Sequence, residues 1–406
     1  MLRRPGRLSI LPLLCAIGAG LAFGMAAPDA AVHTHFLSEA FIRLLGWLMC
    51  PLIFCMLVDG AAALGANRGL GRIGLAMLAY FGAMSLLSTL AGLLAGWILE
   101  PGIGIASTLT GGAAPGSHAH TAVQALPAWM AYLPALRANN LLILPLAVPV
   151  GLAAAMRPGT GLLDGMARLR ASLLAVVTAV LWLSPVAAFG AMASAVGRSG
   201  LGALLPLFRF VGAINLVSVL FVLIVFGGVA RLARLSLPRF ILFLRNELVL
   251  VVSTGSTLAA LPPMGDKLEQ LGCPRWMTDI VLPFSYSLNL AGTYLYIAMA
   301  LVFLAEASNV HLGVHELAVM LGVGLLSSKG AVGVGGSSLA TLAATAALLG
   351  VASADTVALL VAIDRTMKCR LLTNVIGHAL ACVVLAAFDG SLDRGALGRG
   401  VGGLRK

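Results

Sequence analysis

Residues 355–388 read DTVALLVAIDRTMKCRLLTNVIGHALACVVLAAF, an apolar stretch long enough to cross a lipid bilayer. Four charged residues lie in its interior instead of at its ends: Asp364, Arg365, Lys368 and Arg370. A lone Arg or Lys at the centre of a membrane helix costs roughly 2.5–3.5 kcal/mol on insertion scales. The stretch therefore predicts water, paired carboxylates or an anionic ligand at that depth.

The composition excludes a soluble globule. Of 406 residues, 60% are hydrophobic and 10% are charged, and the mean hydropathy is +1.01. The net charge of +11 does not indicate a nucleic-acid surface, because the cations lie in short segments between apolar runs. We interpret the chain as a polytopic membrane protein with positively charged loops on one side.

Eight apolar runs predict eight membrane spans, at about 8–27, 36–65, 72–99, 138–156, 171–195, 203–230, 276–305 and 355–388. Arg and Lys concentrate in alternate connecting segments, which places both termini in the cytoplasm. Two shorter runs, 246–262 and 317–350, would upset that alternation if either crossed alone, so we interpret them as re-entrant hairpins. The first 27 residues also resemble a secretory signal. If they are retained as the first span, the Arg- and Lys-rich loops stay on one side of the membrane, so we interpret them as a span.

Each hairpin is interrupted by a Ser/Gly segment, STGST at 253–257 and SSKGAVGVGGSS at 327–338. A span with polar residues in its middle follows each one, first around 289–293 and then around 364–378. The charges of the connecting loops indicate that one hairpin begins on the cytoplasmic side and the other on the external side. This arrangement indicates an inverted repeat whose hairpin tips meet near the midplane of the membrane. Half-helix N-termini at those tips would suit a carboxylate.

Arg370, Asn374 and His378 fall on one stripe of an ideal helix, each four residues from the last. The guanidinium of Arg370 matches a carboxylate, so we predict that Arg370 binds the substrate and that Asn374 adds amide contacts. Asp364 and Lys368 share another face at the same spacing and are assigned to each other. That pairing leaves Arg370 without a local acid, and its distant candidates are Asp59 and Glu247.

Two features indicate ion coupling. His378 could carry a proton near neutral pH, or it could simply bond to a neighbouring carbonyl. Asn289 and Gly292-Thr293 weaken the helical propensity of their span, which suits an unwound stretch that coordinates a cation or a glycine packing contact. We predict no metal and no cofactor, since neither the six cysteines nor His118 and His120 complete a ligand set. A nucleophile with its base is also missing, which argues against an enzyme.

From about 247 to 387 the chain resembles the dicarboxylate/amino acid:cation symporters, and among them the bacterial C4-dicarboxylate carriers. The similarity is carried by 253–257 with ALP at 260–262, by DKLEQLGC at 266–273, by 289–293, by LLSSKGA at 325–331, and by IDR at 363–365 through LTN at 372–374. Residues 38–65, with PLIF at 51–54, resemble the second helix of that family.

The resemblance implies a glutamate-transporter-like, all-α membrane fold with eight transmembrane helices plus two re-entrant helical hairpins in inverted repeats. It implies a homotrimer in which a mobile transport domain carries substrate across a static scaffold. The implied ranges are scaffold 1–70 and 138–200, transport domain 71–100 and 201–388, hairpins about 237–272 and 312–350, external loop 101–137 and cytoplasmic tail 389–406.

The predicted substrate-binding residues are Arg370, Asn374, Ser256, Thr257, Thr293, Gly333 and Gly335, of which the resemblance implies Arg370, Asn374 and the residues of the two hairpin tips. Ion coupling or gating is predicted at His378, Asn289, Asp364 and Lys368. Several positions depart from the family pattern, and three of them bear on ion coupling. Ala291 replaces an ion-binding acid, His378 stands where an acid or amide is usual, and Lys368 adds a cation. Because Na⁺ prefers oxygen ligands such as carboxylates, we expect H⁺ to be the coupling ion more than Na⁺.

The sequence therefore predicts a symporter of C4-dicarboxylates such as succinate, fumarate or malate in the cytoplasmic (inner) membrane, proton-coupled and of the elevator type. The partners expected are the dicarboxylate anion, the lipid bilayer and two further copies of the chain, with no nucleic acid. Two alternatives stay open: a diverged dicarboxylate-binding sensor or transport-inactive relative, and a sodium-coupled symporter of acidic amino acids.

Overall fold

The computed structural model contains α-helices joined by short turns. It describes residues 10–38, 71–103, 161–200, 204–257, 260–310, 312–328, 337–349 and 366–397, with short pieces within 40–62, 149–156 and 351–364. In these ranges the helices are α1 (Ile10–Ala26), α2 (Pro28–Val32), α3 (Gly71–Leu99), α4 (Leu162–Leu181), α5 (Ser184–Ser199), α6 (Leu204–Phe221), α7 (Gly227–Leu232), α8 (Leu237–Phe243), α9 (Arg245–Thr254), α10 (Leu261–Gln270), α11 (Arg275–Leu288), α12 (Ala291–Ala307), α13 (Val314–Ser328), α14 (Ser337–Leu349) and α15 (Cys369–Asp389).

Several helical stretches are long and apolar enough to cross a bilayer. Within the described residues they are Arg72–Leu99, Leu205–Leu232, Arg275–Ala307 and Cys369–Asp389, and shorter apolar helices occupy Cys15–Ala26 and Val314–Leu325. The prediction of an all-helical membrane protein is confirmed. The layout of eight spans and two hairpins remains a prediction.

Helix α12 forms the centre of the fold. Every residue of it except Glu306 is buried, and it packs against α3, α13, α14 and α15. The contact with α3 is close because glycines face it: a Cβ on Gly92 would overlap the carbonyl oxygen of Leu295, and one on Gly96 would lie 2.8 Å from the Cβ of Val302. Small residues let helices approach in a membrane, where packing replaces the hydrophobic effect as the driving force.

A second packing group joins α1 and α2 to α5. Glycines again make the contact. A Cβ on Gly20 would lie 2.7 Å from the carbonyl oxygen of Phe189, and one on Gly190 would lie 2.6 Å from that of Thr34. The pairing of the first helix with α5 is compatible with a common scaffold, which stays a prediction.

Two of the predicted helix interruptions are present. Helix α9 ends at Thr254 and α10 begins at Leu261, and α11 ends at Leu288 while α12 begins at Ala291. The third predicted interruption, between α13 and α14, falls mostly on 329–336, which lie outside the described residues. A π-helical turn, Val222–Phe226, also joins α6 to α7, which the sequence analysis did not predict.

Two predicted spans are divided differently. The run 171–195 is broken by a turn at Trp182 and Leu183, because Pro185 lies in the first turn of α5, where its missing N–H is tolerated. The run 355–388 is not one helix either. The chain turns at Thr366, where its N–H donates to Ile363 and its carbonyl accepts from Lys368, and α15 begins only at Cys369.

Candidate functional site

Helix α15 carries three polar side chains at four-residue intervals, Arg370, Asn374 and His378. All three are buried, with Arg370 at 3% exposure and the other two at 0%. Four-residue spacing on a helix places them on one stripe, and α11 and α12 pack against this helix. The buried polar stripe on one helix is therefore present as the sequence predicts.

The charged layer lies at the start of the stripe and consists of Asp364, Arg370 and Tyr296. The Nη1 and Nη2 atoms of Arg370 donate to the two carboxylate oxygens of Asp364 at 2.5 and 2.8 Å. The guanidinium carbon lies 4.8 Å from the centre of the Tyr296 ring. A bidentate ion pair stacked on an aromatic face satisfies a buried charge that would otherwise be strongly destabilising.

The expectation that Arg370 has no local acid is wrong, because Asp364 is that acid. The spacing assigns Asp364 to Lys368, whereas both of its oxygens accept hydrogen bonds from Arg370. That spacing assumed one continuous helix, and the turn at Thr366 removes the assumed geometry. Of the two distant candidates, Glu247 is bound by Lys267, and Asp59 lies outside the described residues.

Asn374 connects α15 to the start of α12. Its Oδ1 accepts from the backbone N–H groups of Gly292 at 2.9 Å and Thr293 at 3.2 Å, and its Nδ2 donates to the Thr293 hydroxyl at 2.9 Å. These N–H groups lie in the first turn of α12, where helices lack internal acceptors. A Cβ on Gly292 would overlap the carbonyl oxygen of Arg370. Asn374 thus holds the interrupted span against the turn that carries Arg370.

The neutral layer consists of Ser285, Asn289 and His378. His378 lies one helical turn beyond Asn374 along α15. His378 Nδ1 and the Ser285 hydroxyl are 2.8 Å apart, and Asn289 Nδ2 donates to that hydroxyl at 3.2 Å and to the Gly377 carbonyl at 3.3 Å. Two buried atoms, His378 Nε2 and Asn289 Oδ1, have no hydrogen-bond partner within the described part of the chain. In the tautomer whose Nδ1–H donates to Ser285, Nε2 is the ring atom that can take up a proton.

The tip of the predicted first hairpin, called the first hairpin below, comprises Gly255, Ser256 and Thr257. Thr257 is fully buried and Ser256 is half-buried. Lys368 reaches this tip, since its Nζ would lie 3.1 Å from a Cβ placed on Gly255. The structure therefore brings predicted residues of the first hairpin next to the helix that carries Arg370.

A salt bridge joins the two arms of the first hairpin. Lys267 Nζ lies 2.8 Å from Glu247 Oε2 and donates to the Phe243 carbonyl at 2.7 Å, and it stands 5.2 Å from the centre of the Phe243 ring. The Glu247 side chain is 6% exposed, so water screens the pair little. These contacts fix α10 relative to α8 and α9.

Helices α13 and α14, which belong to the predicted second hairpin, both pack on α12. The predicted binding residues at its tip, Gly333 and Gly335, lie outside the described residues, as do Lys329 and Arg365. Thr341 and Thr345 are buried on α14, and the Thr345 hydroxyl donates to the Thr341 carbonyl at 2.7 Å.

Two contributors, Ser285 and Tyr296, were not predicted from the sequence. Ser285 precedes Asn289 by one helical turn in an apolar helix, and that spacing could have shown it. Tyr296 had no such signal, because nothing in a sequence places an aromatic ring under a particular guanidinium. Gly377 lies beside the stripe, as helical spacing predicts. A Cβ there would lie 3.0 Å from the Phe226 ring, so the glycine admits the ring of the π-helical turn beside the neutral layer.

The arrangement contains donors that suit an anion. Asp364 takes two of the five N–H donors of Arg370, and the other three are not used by this ion pair. Within the described residues no group of three or more His, Cys, Asp or Glu side chains could hold a metal ion. Any cation bound in the neutral layer would rely on amide, hydroxyl and carbonyl oxygens.

Comparison with known families gives a match along almost the whole chain. The sodium:dicarboxylate symporter family matches residues 10–388. The protein belongs to this family. It is accordingly a membrane transporter and not an enzyme. The similarity stated from its sequence motifs is confirmed, and the buried stripe of α15 lies within the matched region.

Individual relatives in the sodium:dicarboxylate symporter family span the chain as well. The C4-dicarboxylate transport protein 4 of Bradyrhizobium diazoefficiens is 38% identical over 401 residues, which cover 95% of this chain and 90% of the relative. The C4-dicarboxylate transport proteins of Paraburkholderia xenovorans and Burkholderia thailandensis are 36% and 37% identical over 404 residues, with 95% of this chain and 93% of each relative covered.

Proposed function

We propose that the protein is a proton-coupled symporter of C4-dicarboxylates such as succinate, fumarate or malate. The names of relatives that align with 95% of the chain support the substrate class. The observation that carries the proposal is the buried guanidinium of Arg370, which keeps donors for a second carboxylate beside the one of Asp364. A dianion is the ligand whose charge best suits such a site.

In this proposal one substrate carboxylate binds Arg370 beside Asp364. At about 4 Å and an effective dielectric near 20, a carboxylate attracts a guanidinium by roughly 4 kcal/mol. The remaining contacts come from Asn374 and Thr293 on one side and from Ser256 and Thr257 on the other, with Gly333 and Gly335 of the second hairpin completing the site.

The coupling proton is assigned to His378. Its Nε2 is buried without a partner, and the neighbouring span has Ala291 where the family pattern supplies a carboxylate for a cation. The family name includes sodium, so Na⁺ is the competing ion. Asn289 Oδ1, also buried and unpartnered, is the oxygen that Na⁺ would use.

The proposed architecture follows the family resemblance: eight spans and two hairpins, both termini in the cytoplasm, and a homotrimer in the inner membrane. The scaffold comprises 1–70 and 138–200, and the transport domain comprises 71–100 and 201–388. The packing of α1 on α5 and of α3 on α12 supports this division, because each pair falls within one proposed domain.

The decisive experiment measures uptake of labelled succinate into proteoliposomes under an imposed proton gradient, a sodium gradient or neither. We expect uptake under the proton gradient, and competition by unlabelled fumarate and malate. Uptake that follows sodium alone would reject the assignment of His378 and favour Na⁺. Succinate binding without flux under any gradient would instead favour a dicarboxylate sensor.

A further inference from the structure

Helix α9 ends inside the protein at a glycine cap. Gly255 has φ +67°, a left-handed conformation that favours glycine, and its N–H donates to the Val251 carbonyl at 2.8 Å. The last carbonyl groups of a helix lack internal donors, and together they carry about half a negative charge. The end of α9 is therefore an electronegative point at the tip of the first hairpin.

The ammonium of Lys368 lies at this point. A Cβ on Gly255 would meet Lys368 Nζ at 3.1 Å, and apart from the adjoining residues no other described atom comes within 4 Å of that position. The missing side chain of Gly255 thus leaves a notch that the ammonium occupies. Any larger residue there would displace the charge as well as strain the backbone.

The position of Lys368 at the start of α15 explains why its side chain extends toward the end of α9. Lys368 is the N-cap of α15, where the helix dipole is positive and disfavours a cation. The end of α9 offers the opposite polarity. Backbone carbonyls at the end of α9 can accept from the three N–H groups of the ammonium.

Ends of broken helices in transporters commonly coordinate the coupling cation through such carbonyls. We propose that Lys368 is a tethered cation that occupies this position permanently, so that the tip of the first hairpin does not take a free ion. The inference rests on the proposed transport function. It follows that the coupling ion binds elsewhere, and that the Lys368 charge positions Ser256 and Thr257 against α15.

The test is whether a free cation can replace the tethered one. We expect Lys368→Ala to slow proton-driven succinate uptake by about tenfold, since it leaves the helix end uncompensated, and we expect Na⁺ or methylammonium to restore uptake several-fold. Wild type should not respond to either ion at constant ionic strength, with choline as the balancing cation. Lys368→Arg should retain most of the uptake. Arg275→Gln is the matched control, because it removes an exposed cation at the start of α11, which follows the same hairpin.

Gly255→Ala provides a second variant that keeps the lysine but fills its notch. We expect slow uptake that neither cation restores, and a double variant with Lys368→Ala should also lose the rescue. Full uptake by Lys368→Ala without added cation would overturn the proposal. The proposal would also be overturned if uptake by Lys368→Ala were slow and neither cation restored it, while succinate still raised the Tm of this variant. If Lys368→Ala does not fold, normal uptake by Gly255→Ala would overturn it. Wild type that moves no succinate would instead reject the proposed function.

Discussion

The charged layer and the neutral layer occupy the same buried stripe of α15 but differ in how their polar groups are satisfied. In the charged layer, both oxygens of Asp364 and both Nη atoms of Arg370 are joined in one ion pair. In the neutral layer, His378 Nε2 and Asn289 Oδ1 are buried with no partner within the described residues. The charged layer therefore already contains a carboxylate on Arg370, whereas the neutral layer contains two buried polar atoms without a partner among the described residues.

This difference suggests that the two layers bind different ligands. A ligand of the charged layer must share Arg370 with an existing carboxylate, and a carboxylate is the group that best matches the remaining guanidinium donors. A ligand of the neutral layer meets no charge to displace, and adding a cation there satisfies atoms that are otherwise costly to bury. We therefore expect substitutions in the charged layer to affect binding of the dianion, and substitutions in the neutral layer to affect coupling.

The largest effect is expected from Arg370→Ala, which leaves Asp364 as a buried unpaired charge. Breaking such a pair costs about 3–5 kcal/mol, so succinate uptake should fall by at least about 100-fold. Asp364→Asn combined with Arg370→Ala should regain thermal stability but not uptake. Lys267→Met breaks the other buried salt bridge as a control and should leave relative uptake of succinate and fumarate unchanged. Near-normal uptake by Arg370→Ala would refute the substrate site.

Gly292→Ala should give the next largest effect. The added Cβ would overlap the Arg370 carbonyl and lie 2.8 Å from the Thr373 Cβ, which forces α12 away from α15. Overpacking of this kind costs about 1–3 kcal/mol, measurable as a lower Tm of the purified protein. Gly82→Ala on α3 is the control, because nothing lies within 4 Å of its Cβ position. Equal Tm values for the two variants would show that the close approach carries no constraint.

His378→Gln separates coupling from binding. A proton taken up at His378 is more available at low external pH, so wild-type uptake should rise as the external pH falls. Glutamine does not titrate, and loss of one proton-transfer group costs on the order of 100-fold or more, so proton-driven uptake should drop and become independent of pH. Succinate binding, measured by calorimetry, should persist. A retained pH response in this variant would place the coupling proton on another group.

Ser285→Ala should have the smallest effect of the four. It removes the partner of His378 Nδ1 and one of the two acceptors of Asn289 Nδ2, at a cost of about 1–3 kcal/mol in stability. Uptake should fall only several-fold, with the pH dependence displaced but present. A complete loss of pH response would mean that Ser285, and not His378 alone, determines whether the proton is carried.

The buried stripe of α15 and the interruptions near 255 and 289 were predictable from the sequence, because four-residue spacing and Ser/Gly breaks are local properties. The ion pair of Arg370 with Asp364 was not. It depends on the turn at Thr366, which no propensity in an apolar run with scattered charges reveals. The site of the Lys368 ammonium also depends on contact between two segments more than 100 residues apart, which one sequence does not show.

The enclosure of α12 restricts how the protein can change shape. Because neighbours contact this helix on every side, it cannot rotate or slide without carrying α3 and α15 along. These three helices should therefore behave as one rigid body throughout a transport cycle. Spin labels placed on the outer faces of α3 and α15 would keep a constant separation in every conformation, and that pair could serve as the fixed reference from which the displacement of all other segments is measured.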